Sequence, residues 1–197
     1  DRRRVEGRGP TVDQALGGAL SDLIKRDGFQ GKLGERFVFP TFGKIKARKV
    51  CVLGLGPRSS FTRDTIRITG GHIVKIAREA RSKKVVTILP GAGAGGIQAS
   101  AAAQALGEGL RLGAYRFHAY HGTGTKDRAA KFDVNDLVIA EPDKTRLKDA
   151  EKGLNLARVL ADATLLARDL VNTPSRDMTP AHLAEVARSL AARGSRI

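Results

Sequence analysis

The sequence predicts an α/β fold with a mainly parallel sheet. The runs Val50–Leu55 and Val85–Leu89 are almost wholly apolar, as expected for strands that are buried on both faces of a parallel sheet. Segments in which apolar residues recur at helical spacing precede, separate and follow these two runs. Strands that alternate with helices in this way indicate βαβ crossovers.

The other predicted elements follow in chain order. The first helix starts at a capping box formed by Thr11 and Gln14 and continues to Ile24. A helix over 62–81 has a clear apolar face, although Gly70 and Gly71 in its middle weaken the prediction locally. The remaining segments of the first 144 residues are two short strands, Phe37–Phe39 and Leu137–Ala140, and an alanine-rich helix, Gln98–Leu112.

A long helix is predicted over 145–171, and Pro174 ends it. A helix of this length often bridges two domains. A new helix then begins, with Thr179 as its cap and Pro180 at its first position. We therefore predict three regions: a domain over 1–144, a linker helix over 145–171, and the start of a second domain over 172–197.

The net charge of +15 and the isoelectric point near 10.6 would concentrate polyanions around the chain. The interpretations are nucleic-acid binding, an acidic partner, an acidic domain elsewhere in the protein, or a soluble protein that is simply basic. Residues 1–100 contribute +12 of this charge and residues 101–197 only +3. No apolar run is long enough for a transmembrane helix, so we expect no membrane partner. The single cysteine, Cys51, cannot form an intramolecular disulfide, which fits a reducing, cytoplasmic location.

The basic residues of the first half occur in three clusters. Two of the clusters flank strand entries and are expected at the same pole of the sheet, where they would contact the phosphates of duplex DNA without reading bases. A solvated face is the alternative. The clusters are Arg2, Arg3, Arg4 and Arg8; Lys44, Lys46, Arg48 and Lys49; and Arg81, Lys83 and Lys84.

A glycine-rich loop, Gly91, Gly93, Gly95 and Gly96, fits the G-x-G-x-x-G pattern between a strand and a helix. Such a loop would cradle the phosphates of a nucleotide or ADP-ribose. Pro90 stiffens its first step, and no acid follows about 20 residues later to bind a ribose. A loop without a ligand is the alternative.

The sequence predicts no catalytic and no metal-binding residue. His118 and His121 form the only close histidine pair, and neither an acid nor a third histidine lies nearby in the sequence, which favours a packing or surface role. Asp133 and Asp136 are interpreted as solvated residues at a strand edge. The motifs H-E-x-x-H and G-x-S-x-G are absent.

Several segments, in order, resemble the leucyl aminopeptidases of the cytosol aminopeptidase family. Ala167–Pro174 and Met178–Ala184 are similar to the stretch that opens the catalytic domain of that family. Glu108–Phe117 is similar to the segment after the helix of its N-terminal domain. The other similar segments are Leu16–Leu20, Gly28–Gly31, Val50–Gly56 and Phe61–Asp64.

The resemblance implies a macro-domain-like three-layer sandwich with a mainly parallel mixed sheet over 1–144, a linker helix, and a truncated start of the catalytic domain over 172–197. It also implies a cytoplasmic homohexamer that removes N-terminal residues from peptides with two divalent metals, which are zinc, manganese or magnesium. The ligand and catalytic motifs of the family, V-G-K-G and N-T-D-A-E-G-R, do not occur here, so no such residue is transferred to this chain. Some bacterial members also bind DNA.

Overall fold

The computed structural model describes residues 9–92, 96–124, 133–192 and 194. These residues form α-helices and short strands, and none of the described helices is both long and apolar enough to cross a membrane. The helices are α1 (Gly9–Ala15), α2 (Ala19–Arg26), α3 (Arg63–Glu79), α4 (Ala99–Ala114), α5 (Lys144–Asn172) and α6 (Pro180–Ala192); the strands are β1 (Arg36–Pro40), β2 (Lys49–Leu53), β3 (Lys84–Ile88) and β4 (Asp136–Ala140).

The strands of the described residues form two separate pairs. β1 and β2 are antiparallel, with Pro40 opposite Lys49, whereas β3 and β4 are parallel, with Lys84 opposite Asp136. The single, mainly parallel sheet that we predicted is therefore not confirmed. Only residues 41–48 connect β1 to β2, and a parallel crossover needs a dozen residues or more, so this pair is antiparallel.

Each strand pair has helices on one face. Leu16, in the turn between α1 and α2, and Leu20 and Ile24 of α2 pack against the β1–β2 residues Phe39 and Val50. A larger core joins α3, α4 and α5 to one face of β3–β4. Its buried members include Ile66, Val74, Leu106, Leu110 and Ala150, with the β4 residues Leu137 and Ile139 against them.

The first helical segment is divided, which corrects the single helix that we predicted from Thr11 to Ile24. α1 starts at Gly9, and Gly17 and Gly18 separate it from α2 with φ values of 70° and 80°, which glycine adopts without strain. Asp13 caps the new N-terminus, because its Oδ1 accepts the backbone N–H groups of Leu20 and Ser21 at 3.0 and 3.1 Å. The Ser21 hydroxyl also donates to this carboxylate and is the main reason why the pKa of Asp13 lies below its ordinary value.

α3 is an unbroken helix, and its glycine pair does not interrupt it. Thr62 and Thr65 form its capping box. A β-carbon added at Gly70 would lie 2.7 Å from the backbone nitrogen of Leu110, and one added at Gly109 would lie 2.8 Å from the carbonyl carbon of Arg67. The glycines therefore allow the backbones of α3 and α4 to come into direct contact.

α4 meets α5 in the same manner. The buried residues of α5 are small, namely Ala150, Gly153, Ala157 and Ala161. A β-carbon added at Gly153 would lie 2.7 Å from the carbonyl carbon of Ser100. α4 is thus held between two helices at backbone contact distance.

Polar contacts tie the far end of α5 to the end of α4. The hydroxyl of Tyr115 donates to Asp169 at 2.8 Å and accepts from the side-chain amide of Asn172 at 3.0 Å. Arg168 donates to the carbonyl of Leu112 at 3.2 Å, and its guanidinium lies 5.5 Å from the centre of the Tyr115 ring. We call these four side-chain contacts the Tyr115 clasp.

Two arginines of α3 bind groups on α4. Arg67 Nε donates to the buried carboxylate of Glu108 at 2.7 Å, and Gln104 donates to the other oxygen at 2.8 Å. Arg78 donates to the carbonyls of Gly113 and Ala114 at the end of α4, at 2.9 and 2.5 Å. Burial is the main reason why the pKa of Arg78 lies below its ordinary value.

One face of the β3–β4 pair carries apolar side chains in contact with solvent. Val86 is 63% exposed and its cross-strand neighbour Val138 is 42% exposed, and Ile88 lies on the same face at 37%. Parallel strands are normally covered on both faces. α6 likewise contains no buried residue, although Leu183 is apolar.

Candidate functional site

The structure brings two of the three predicted basic clusters together. Lys49, at the start of β2, donates from Nζ to the carbonyl oxygen of Ala80 at 2.8 Å. Ala80 directly follows α3 and precedes the cluster of Arg81, Lys83 and Lys84, so this cluster and the one that contains Lys49 are neighbours. We call them the basic face, which consists of Lys44, Lys46, Arg48, Lys49, Arg81, Lys83 and Lys84. The N-terminal cluster, Arg2, Arg3, Arg4 and Arg8, lies outside the described residues.

The basic face contains few neutralising groups. The 28 residues from Arg36 to Arg63 include seven lysines and arginines and no aspartate or glutamate. Within the described ranges the lysines of the face and Arg48 form no ion pair with a carboxylate; nearby, Glu79 pairs with Arg36 at 3.0 Å. The positive charge of these lysines and of Arg48 is therefore available to an anion from outside.

The loop over 41–48, which carries Lys44, Lys46 and Arg48, is ordered by its own hydrogen bonds. Thr41 is fully buried, its backbone N–H donates to the Arg48 carbonyl at 3.0 Å, and its hydroxyl donates to the Ala47 carbonyl at 2.5 Å. Ile45 packs against the core below α1 and α2. The structure also places an exposed residue, Phe42, near the start of this loop. The sequence did not indicate it, because its backbone conformation and exposure are set by the loop. Gly43 next to it was the available signal.

The glycine-rich loop lies between β3 and α4, as predicted. Gly91 and Gly96 have φ values of 81° and 71°, while Gly93 and Gly95 lie outside the described residues. At the N-terminus of α4, the backbone N–H of Ser100 donates to the carboxylate of Asp149 at 2.8 Å. This acid occupies one of the N–H groups that a phosphate would use. Nucleotide binding at this loop stays a prediction.

No group of three or more metal-binding side chains occurs in the described ranges. The Nδ1 atoms of His118 and His121 lie 3.3 Å apart, at hydrogen-bond distance. Asp133 lies between two arginines, with Arg78 Nε at 3.5 Å and Arg116 Nε at 3.8 Å from its Oδ1. Asp136 starts β4 opposite Lys84.

Cys51 is exposed on β2, although its thiol hydrogen-bonds weakly to the Val52 carbonyl at 3.6 Å. Partial burial in its strand environment raises the pKa of this thiol, while Arg36 opposes the shift. A thiol with a raised pKa is a poor nucleophile at neutral pH. Nothing around Cys51 in the described structure supports a reactive role.

Comparison with known proteins identifies the family. Residues 3–123 match the family model of the N-terminal domain of the cytosol aminopeptidase family. The chain belongs to the cytosol aminopeptidase family. Two relatives are probable cytosol aminopeptidases. That of Alkaliphilus oremlandii (strain OhILAs) is 35% identical over 181 residues, covering 92% of this chain and 36% of the relative. That of Thermosynechococcus vestitus (strain NIES-2133 / IAM M-273 / BP-1) is 34% identical over 182 residues, covering 92% and 35%.

Two solved structures have a similar fold. The bottromycin maturation enzyme BotP in complex with Mn superposes with a TM-score of 0.70 at 28% identity, over 87% of this chain and 33% of BotP. A mutant of tomato leucine aminopeptidase gives a TM-score of 0.74 over 93% of this chain and 34% of that enzyme; its 22% identity shows the fold alone. The chain thus spans about a third of the length of these proteins.

Proposed function

We propose that this chain is the non-catalytic N-terminal part of a leucyl aminopeptidase whose complete form removes N-terminal amino acids from peptides by two-metal hydrolysis. The match of residues 3–123 to the N-terminal domain of the family supports this function most directly. The relatives are about three times as long as the region that they share with this chain. The two divalent metals, which are zinc, manganese or magnesium, would be held by a catalytic domain; the BotP structure carries Mn.

The proposed domains are the N-terminal domain over 1–144, a linker helix over 145–171, and the start of the catalytic domain over 172–197. α5 supports this division because it runs unbroken for 29 residues from the cap formed by Asp143. α6 supports it because it has no buried residue within the described structure. The apolar face of α6 would pack against the rest of the catalytic domain.

The N-terminal domain is proposed to be a macro-domain-like three-layer sandwich. Helices α1 and α2 on one strand pair, and α3, α4 and α5 on the other, supply helical layers. The exposed apolar side chains of Val86 and Val138 support a further covering layer over β3–β4. In the complete protein, we expect a cytoplasmic homohexamer.

Because the proposed catalytic residues lie in another part of the complete protein, we predict that the 197-residue chain alone does not hydrolyse leucyl-p-nitroanilide with added Mn²⁺ or Zn²⁺. The physical reason is the absence of V-G-K-G and N-T-D-A-E-G-R, the segments that supply the metal ligands and catalytic side chains in the resembling enzymes. The measurement is the release of p-nitroaniline, with the complete enzyme as the positive control. Turnover that copurifies with the 197-residue chain and depends on added metal would refute the assignment.

The basic face supports a second candidate function, which is contact with the backbone of duplex DNA. The main support for this proposal is the hydrogen bond from Lys49 to Ala80, because this contact brings the two clusters of cations next to each other. If six of the seven cations contact phosphates, log affinity should fall against log salt with a slope of about −5. A gel shift of a duplex by the 197-residue chain, at several salt concentrations, measures this slope.

Two charge variants sharpen the DNA experiment. Lys46→Gln/Arg48→Gln should reduce the slope by about 2, because two phosphate contacts are lost. Lys148→Gln/Lys152→Gln removes the same charge from exposed positions of α5 and should leave the slope unchanged. Equal effects of the two variants would show that net charge alone, and not the basic face, attracts the DNA.

A further inference from the structure

Phe42 is a solvent-exposed aromatic side chain near the start of a basic loop. It is 80% exposed, and no aromatic residue in the described ranges is more exposed. Its only ring neighbour among them is Phe39, at a centroid distance of 6.2 Å and an interplanar angle of 80°. The ring therefore presents most of its surface, including a flat face, to solvent.

The backbone at Phe42 is unfavourable for its residue type. Its φ of 51° lies in the left-handed region, where a bulky residue is rare and where glycine or asparagine is normally found. The hydrogen bonds of Thr41 to Ala47 and Arg48 hold the loop on either side, and Lys44 closes a turn onto the Thr41 carbonyl at 3.0 Å. The fold thus tolerates an unfavourable backbone conformation at an exposed ring, and a strained backbone of this kind is often found at functional sites.

The chemical surroundings of Phe42 indicate the partner. Lys44, Lys46 and Arg48 follow within six residues, and all three are exposed. An aromatic face beside several cations is the combination with which proteins bind single-stranded nucleic acid, where bases stack on the ring and phosphates lie against the cations. A membrane-inserting loop would need several exposed apolar residues, whereas Ile45 of this loop packs into the core.

The geometry points to Phe42 as a stacking platform for an unpaired base of a nucleic acid whose phosphates lie on the basic face. This inference rests on the second candidate function, the binding of nucleic-acid backbone by that face. It adds a preference that charge cannot give: strands with unpaired bases should bind more tightly than intact duplex of the same length. The readout must therefore separate stacking from charge.

The experiment measures fluorescence anisotropy of the 197-residue chain with a labelled single strand and with its duplex. A second single strand contains 2-aminopurine, whose fluorescence reports stacking. Phe42→Ala should weaken single-strand binding about 10-fold, abolish the 2-aminopurine change, and leave duplex affinity and the salt slope unchanged. Phe42→Tyr keeps an aromatic ring and should behave like the wild type. Lys46→Gln/Arg48→Gln should lower affinity for both strands and duplex.

The possible results separate the stacking role of Phe42 from nucleic-acid binding by the basic face. If Phe42→Ala binds single strands as tightly as the wild type does, the stacking role is overturned while the basic face stands. If the wild type binds neither strand nor duplex at low salt, both the face and the stacking role are overturned. Binding to phosphatidylserine vesicles without nucleic-acid binding would assign the loop to a membrane surface instead. Thermal unfolding of each variant distinguishes lost binding from lost folding.

Discussion

Replacing Gly109 with alanine should destabilise the protein by about 2 to 3 kcal/mol, although alanine is the better helix former. The new β-carbon would lie 2.8 Å from the carbonyl carbon of Arg67, and this neighbour is helix backbone that cannot rotate away. α3 and α4 would have to separate along their shared core. Urea denaturation followed by circular dichroism measures the change in the free energy of unfolding.

Gly71→Ala is the matched control, because it makes the same chemical change in the facing helix. The nearest atom to its added β-carbon is the Gly109 carbonyl oxygen at 4.0 Å, an ordinary contact distance. This substitution should therefore stabilise the protein by up to about 1 kcal/mol through helix propensity. The two substitutions should change the free energy of unfolding in opposite directions. A change in the same direction would contradict the backbone contact seen between these helices.

Arg67→Met should cost about 2 kcal/mol of folding free energy. The substitution leaves the carboxylate of Glu108, whose side chain is only 10% exposed, without its cation. Removing one member of a buried ion pair is costly because the other charge stays buried without a partner. The expected loss lies below the upper range for such pairs, because the Arg67 side chain is 37% exposed and water replaces part of the interaction.

The double variant Arg67→Met/Glu108→Met tests the origin of that loss. It removes both charges and keeps apolar bulk at both positions, so it should be closer to wild-type stability than Arg67→Met alone. Chemical denaturation of the wild type, both single variants and the double variant gives the coupling energy. Additive losses would mean that the two side chains do not interact as the 2.7 Å distance indicates.

Much of the secondary structure was predictable because it depends on local patterns. The helix that begins after Thr62, the apolar run from Val85 and the helix that starts at Pro180 all lie where the sequence places them. The long helix is also confirmed, with one residue added at each end of the predicted 145–171. Each of these signals involves residues within a few positions of one another.

The errors concern information that local patterns lack. Gly70 lowers helix propensity when α3 is considered alone, and only the approach of Leu110 on α4 reveals why a glycine stands there. Gly17 and Gly18 resemble tolerated helix residues until their positive φ values are known. Strand pairing depends on partners distant in sequence, so the division into two strand pairs was not foreseen.

The candidate site was predicted as a set of charges but not as a surface. We expected the two cation clusters at one pole of a single sheet. The described strands form two separate pairs, so that reason does not apply, although Lys49 contacts Ala80. Phe42 went unnoticed because a single phenylalanine in a strand-rich segment is normally a core residue. Its exposure results from the conformation of the whole loop.

The two attachments of α5 limit its angular freedom. The helix is about 43 Å long, and Gly153 fixes it near the middle of its first half while the Tyr115 clasp fixes it near its last turn. If only the contact at Gly153 existed, a rotation of about 5° would move the end of the helix, about 28 Å away, by about 2.5 Å. With both contacts present, the direction in which the chain leaves Asn172 is determined to a small tolerance by the backbone of α4 and by Tyr115, which directly follows it.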